Sequence, residues 1–267
     1  MGANPRPPAL DTAPVNKLIW TFSLPAICSQ VVSSMNNIVD QTFMGWGIGD
    51  LAIAAANVAF PVFTLITALA CLIGIGCASG YSLFLGRRDQ AGARKNLGNA
   101  VVLAVAVGLL MAVLGLVFLE PMLYLFGATE NTISYSMDYL NIYLYGSIFV
   151  ELALGLNFFI TSQGFSTVGM ASVIIGAVVN IVLDPILIFG LNMGVKGAAL
   201  ATITAQAVSA VWVVRFLCGR RTKLRIQRRL LRLDAKVLAP VLALGLSPFI
   251  MQSTESLVNI AFNSSLK

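Results

Sequence analysis

The chain has no histidine and little charge. Without histidine it has no imidazole base and no imidazole metal ligand, and no Ser/Lys pair stands at a plausible site. A nucleophile–base pair is therefore missing, and an enzyme is not the expected reading. Charged residues make up 10% of the chain, where soluble domains carry about 25%. Lys and Arg are missing altogether from Leu18 to Gly86 and again from Asn96 to Val195. The four cysteines, Cys28, Cys71, Cys77 and Cys218, lie in or at the ends of apolar segments. They lack metal-ligand spacing and read as small core residues, so no metal centre and no cofactor are expected.

What is present is apolar sequence with basic punctuation. Hydrophobic residues reach 58%. The formal charge of +6 comes mostly from two clusters, Arg87, Arg88, Arg94 and Lys95, then Arg215 to Lys236. Apolar runs long enough to cross a bilayer, separated by basic loops, define a polytopic membrane protein. The basic clusters flank the apolar spans and have no folded domain of their own. They set orientation and attract anionic headgroups; nucleic-acid binding is not expected.

Seven helical spans fit, with cores near 18–44, 52–85, 97–119, 136–160, 168–190, 197–217 and 237–263. The second is long for one span, which suggests tilt or extension beyond the lipid. Small residues such as Gly74, Gly76 and Gly197–Ala198–Ala199 allow close helix approach. The 2–3 and 6–7 loops hold nearly all the loop Lys and Arg, so they and the N-terminus are expected in the cytoplasm. Met1 to Lys17 contains four prolines and no apolar run. It reads as a cytosolic arm (1–17) rather than a signal peptide.

Seven spans are also a receptor's number. A photoreceptor, however, needs a buried lysine in span 7, and none lies between Lys236 and Lys267. An internal repeat points elsewhere. With a shift of 223 residues, Pro25 meets Pro248, Ser33 meets Ser256, Asn36 meets Asn259 and Asp40 meets Asn263. Span 7 then reads as a second copy of span 1. The expected domains are a lobe of six helices (18–218), a basic loop (219–236) and the first helix of a second lobe (237–267). The complete protein would hold about 440–450 residues, twice the shift, in the manner of parallel-repeat transporters. The second lobe would then be needed for function.

Four acidic residues fall inside the predicted spans: Asp40, Glu151, Asp184 and Glu255. An ionisable group near the bilayer centre costs about 2.5–3.5 kcal/mol on insertion scales, so such groups face cavities or partners. With no Lys or Arg in the spans except Arg215 at the cytosolic end of the sixth, these carboxyls lack a partner and are suited to carrying protons or holding a cation. Asp40 lies 23 residues past Lys17, roughly 35 Å along a helix. That places it in the outer half of span 1. Asp184 and Thr202 fall at matching depth in spans 5 and 6. Asn180 lies one turn from Asp184 on the same face. Carboxylate, amide and hydroxyl oxygens form a hard ligand set fit for Na⁺ or H⁺. The alternative is that Asp184-Pro185 simply ends a helix and Asp40 meets headgroups. Pro25, in span 1, removes a backbone hydrogen bond and is the expected hinge; Pro61 does the same in span 2. Tyr135, Tyr139 and Tyr143 form an i, i+4 stripe that reads as an interfacial aromatic belt.

Several motifs together carry a family resemblance over nearly the whole chain from Lys17 to Lys267. They are Asn180-Ile-Val-Leu-Asp184-Pro185-Ile-Leu-Ile-Phe-Gly190, Gly194-Val-Lys-Gly197-Ala-Ala-Leu-Ala-Thr202, Pro25 with Asp40-Gln-Thr-Phe-Met-Gly45, and Tyr139-Leu-Asn-Ile-Tyr-Leu-Tyr-Gly146. The chain resembles the multidrug and toxic compound extrusion (MATE) transporters, in particular their DinF-like prokaryotic branch. The resemblance implies an all-α membrane bundle of two six-helix lobes in the cell membrane. It implies export of cationic drugs or toxic organic compounds in exchange for H⁺ or Na⁺. It also implies an amino-terminal cation site of Asp40, Asn157, Asn180, Asp184 and Thr202, with Tyr139 nearby. Depth counting puts Asn157 nearer the cytosolic end. Glu255 resembles the span 7 acid of a second, carboxy-lobe site, and Glu151 matches no family role. A lipid-linked precursor flippase of the same superfamily is the alternative, but the spans carry acids where a phosphate-binding cavity carries bases.

Overall fold

The computed structural model describes residues 14–265. Residues 1–13 of the expected arm and Lys267 lie outside the described residues, as do the side chains of Lys236, Asn259 and Asn263. The described chain is helical throughout. The long helices are α1 (Val15–Gly47), α2 (Asp50–Gly86), α3 (Gln90–Val117), α8 (Ser166–Pro185), α9 (Val195–Cys218) and α10 (Ala235–Ser265). A short α4 (Leu119–Leu125) caps the 3–4 connection. Among the described residues six helices are long and apolar enough to cross a membrane, and a seventh crossing is a bent pair.

That pair corrects the prediction of one continuous span over 136–160. The helix α5 (Ile133–Tyr145) ends at Gly146, and the chain continues as α6 (Ser147–Val150), a π turn (Glu151–Gly155) and α7 (Leu156–Ser162). The two halves meet at 57°. Gly146 packs against the Ile203 side chain, leaving no space for a Cβ at the break. The hydrophobic pattern had no means of showing the bend, because a glycine within an apolar stretch does not by itself mark a break.

The lobe is built around α2. Burial takes 61% of its most apolar window, against 6% for α1 and 11% for α10. Its length therefore reflects a central post, packed by α3, α5, α7 and α10. The residues of α2 facing its neighbours are small: Ala52, Ala55, Ala59, Ala68, Ala70, Gly74, Gly76 and Gly80 are all buried. Small side chains let backbones meet, which is how helices associate where lipid removes the hydrophobic drive. At the α2–α10 seam Gly245 lies directly against the Leu72 carbonyl and Gly76 against that of Val241.

Two cores stack along this post. One gathers Met44, Ile66, Leu123, Leu140, Leu144 and Ala198 toward the acidic loops. The other gathers Ile73, Cys77, Leu97, Phe159, Val213 and Val241 toward the basic loops. The perimeter is apolar: Trp20, Ile27, Met35 and Ile38 on α1, Val113 and Val117 on α3, and Val182, Val211 and Met251 all stand more than half exposed. Soluble proteins do not expose apolar surface on that scale, so lipid is the medium. The basic loop is tied down by Gln163, whose Oε1 accepts from Thr222 Oγ1 at 2.5 Å and from the backbone N–H groups of Lys223 at 2.9 Å and Leu224 at 3.1 Å. Asn99 Oδ1 accepts from the Asp234 N–H at 3.1 Å.

Candidate cation site

The site begins with the face that α1 turns toward α8. Thr21, Pro25, Ser29, Asn36 and Asp40 follow at helical spacing and are all shielded, whereas Trp20, Leu24, Ile27, Val31 and Ile38 point outward. On α8, Asn180 and Asp184 are one turn apart and buried, at 2% and 0% exposure. Asn36 Nδ2 donates to Asn180 Oδ1 at 2.8 Å, and Asn180 Nδ2 donates to Asp184 Oδ1 at 3.2 Å. The carboxyls of Asp40 and Asp184 lie within hydrogen-bonding reach of each other. Two carboxylates that close in low dielectric cannot both stay ionised without something positive between them. A shared proton or a small cation meets that need.

Tyr139 and Thr202 close the other side. Tyr139 is buried, its hydroxyl stands near Thr202, and it feels the charge of both aspartates. Thr202 Oγ1 also donates to the Ala198 carbonyl at 3.0 Å. Asp40, Asn180, Asp184, Thr202 and Tyr139 are thus one cluster. Three buried acceptor oxygens around it have no donor among the described residues: Asn36 Oδ1, Asp40 Oδ1 and Asp184 Oδ2. A fourth, Asn157 Oδ1, lies beside Gly169, several turns of α8 away from Asp184, so the structure does not bring Asn157 to the cluster. Buried polar atoms are nearly always paired. A set of unpaired acceptors with no donor suits a positive ligand.

A cavity of about 210 Å³ opens beneath the cluster. Its polar walls include Ser29, Ser33 and Asn36 on α1, Asn157 on α7, Ser172 and Asn180 on α8, and Thr202, Gln206 and Ser209 on α9. No lysine or arginine lines it. Asn157 sits on this wall, with Nδ2 donating to the Gly169 carbonyl at 3.3 Å. Asn36 is the member that depth counting passed over as a ligand. Its place in the repeat was the available signal, since it lies four residues before Asp40 on the same helix face.

Other predicted residues fall elsewhere. Glu255 is exposed on α10, which packs along α2 and α3. The structure does not bring it to the aspartates. The tyrosine stripe is not an interfacial belt. Only Tyr135 is exposed; Tyr139 and Tyr143 turn inward, and Phe63 packs on them at ring distances of 5.4 and 4.3 Å. Packing of α5 against α2 and α9 takes this stripe into the lobe. Asp138 is a fifth acid within the predicted spans, and it pairs with Lys196 at 3.3 Å where both are half exposed. Pro25 is buried inside an uninterrupted α1. The carbonyl it leaves without an i+4 donor belongs to Thr21, and the Ser166 hydroxyl of α8 donates to it at 2.7 Å. The expected hinge is therefore tied to α8 at one end and to the aspartate cluster at the other.

Taken together, these features define a polytopic, all-helical membrane lobe with a buried acidic cluster between its first, fifth and sixth crossings. Comparison places it further. The MatE family profile matches residues 25–186, and the chain belongs to the MatE family. The multidrug export protein MepA of Staphylococcus aureus (strain MRSA252) is 25% identical over 253 residues, covering 95% of this chain and 56% of that protein. A solved structure of the MATE multidrug transporter DinF-BH in complex with R6G is 36% identical, with a TM-score of 0.91, over 99% of this chain and 59% of that one. A MATE structure in the bent conformation is 28% identical with a TM-score of 0.82, over 89% of this chain and 53% of that one. The chain spans little more than half the length of these relatives.

Proposed function

We propose that this chain supplies the amino-terminal lobe, and the first helix of a second lobe, of a secondary active exporter of cationic drugs or toxic organic compounds. Inward movement of H⁺ or Na⁺ drives it, and the protein sits in the cell membrane with its N-terminus in the cytoplasm. The observation that carries this reading is the Asp40–Asp184 pair with the unpartnered oxygens of Asn36, Asp40 and Asp184 around it. The pair takes up a proton or Na⁺ between its carboxyls. Asn180 holds Asp184 in place, and Thr202 and Tyr139 add hydroxyl oxygens. Loading removes the repulsion between two buried charges, which at short range and low dielectric amounts to several kcal/mol. A gap of about 5.5 kcal/mol turns a 1:99 equilibrium into 99:1. Asp40 rides on α1, so loading acts on the helix that carries Pro25.

The absence of lysine and arginine from the cavity favours organic cations over the phosphate headgroups a lipid flippase must hold. The test is accumulation of a fluorescent organic cation in cells expressing the transporter that carries this lobe. Asp40→Asn and Asp184→Asn are each expected to abolish export while the protein still inserts. Near-normal export by both variants would refute the site.

A further inference from the structure

Glu151 is the buried acid that this exchange leaves unused. Its exposure is 0%, and neither carboxyl oxygen has a hydrogen-bond partner among the described residues. It opens the π turn Glu151–Gly155, a few residues past the break in the fourth crossing. π turns are rare, and when they occur inside helices they concentrate at functional sites.

The turn packs against α2, α3, α6, α7 and α9. Cys71 on α2 and Tyr143 on α5 are the titratable groups that feel its charge. Residues 96–117 of α3, 147–150, 156–162 and 197–214 contain no Asp, Glu, Lys, Arg, Cys or Tyr. The cations of the packed helices, Arg94 and Lys95 on α3 and Lys196 and Arg215 on α9, are exposed near the helix ends, so among the described residues no cation is buried beside Glu151. An ionised carboxylate there would lack both counter-ion and donor, among the most costly arrangements a folded chain can hold. A glutamine or leucine would avoid the difficulty. Tyr143 in turn stacks on Tyr139 at 6.5 Å, and Tyr139 feels the charge of both Asp40 and Asp184. A line of buried side chains thus joins Glu151 to the aspartate cluster.

We propose that Glu151 is a second proton-binding site of this lobe, distinct from the Asp40–Asp184 pair, where a proton from water adds to the carboxylate and leaves again. It does not depend on the aspartates binding a cation.

Infrared spectra of the purified chain in lipid vesicles, recorded between acid and alkaline buffers, test this. The chain holds four glutamates, and Glu120, Glu130 and Glu255 are exposed. ¹³C-carboxyl labelling of glutamate alone separates their bands from those of aspartate, and slow exchange in D₂O marks a buried acid. The expected result is a slowly exchanging, isotope-shifted carboxylic band that is lost as pH rises. It should be absent from Glu151→Gln and retained in Asp40→Asn and Asp184→Asn. Lack of such a band, its survival in Glu151→Gln, or its persistence unchanged at every pH would overturn the proposal; the last would make Glu151 a permanently neutral packing group. The isotope experiment on the unsubstituted chain decides even if Glu151→Gln fails to insert. Failure of the aspartate site would leave the glutamate band untouched.

Discussion

The aspartate pair and Glu151 are both acids buried among apolar helices, and their surroundings differ in every respect. Asp184 is reached by Asn180 and Asp40, with Asn36, Tyr139 and Thr202 behind them and a polar cavity below. Among the described residues Glu151 has no hydrogen-bond partner, and Cys71 and Tyr143 are the titratable groups that feel its charge. The contrast separates two ways of keeping a carboxyl in a membrane. One surrounds it with oxygens and accommodates an exchangeable ion. The other leaves it bare, so that only the neutral acid is comfortable.

The sharpest way to break this comparison is to neutralise each acid in turn. Asp40→Asn and Asp184→Asn should reduce cation-driven dye export at least tenfold, equivalent to about 1.4 kcal/mol or more of lost coupling. If Glu151→Gln has the larger effect, the roles assigned here are reversed. Stability gives a second contrast. Asp184→Leu strands the Asn180 amide and should destabilise by about 1–3 kcal/mol. Glu151→Met fills the same space without a charge and should be neutral or stabilising by about 1–3 kcal/mol. Unfolding of the two purified variants in detergent, followed by circular dichroism, reads both, and equal signs would erase the distinction.

A smaller effect is expected where α1 is tied to α8. Ser166→Ala removes the donor to the Thr21 carbonyl and should cost about 1 kcal/mol, the ordinary worth of one hydrogen bond. Ser166→Thr keeps a hydroxyl and should recover most of it. Equal unfolding midpoints for Ser166→Ala and the unsubstituted chain would show that the Thr21 carbonyl finds another partner.

How much of this could be read beforehand depended on the kind of interaction. The bilayer makes spans legible, because a segment without Lys or Arg from Leu18 to Gly86 has few other places to be. Depth counting works for the same reason: helices of known rise starting from a known side carry Asp40, Asp184 and Thr202 to one level. Facing is harder. The tyrosine stripe looked interfacial because nothing in its spacing reveals that α5 packs Tyr139 and Tyr143 against Phe63 of α2. Asp138 escaped notice because its partner Lys196 lies 58 residues on, at the start of another helix. Ser166 and Gln163 were silent too. Each satisfies backbone groups of a distant segment, and a serine or glutamine has no pattern that announces such a partner. Glu255 was picked out by its place in span 7 and by resemblance to the acid of a second-lobe site, and the structure sets it on an exposed face of α10, apart from the aspartates.

The central claim is that Asp40 and Asp184 hold an exchangeable proton or Na⁺. Dicyclohexylcarbodiimide attaches to protonated carboxyls in apolar surroundings, and mass spectrometry of the purified chain in lipid vesicles locates the adducts. The account predicts adducts at Asp40 or Asp184 that diminish severalfold when pH is raised or Na⁺ is added. A pair that never reacts, or that reacts equally whatever the pH and Na⁺ concentration, would contradict it.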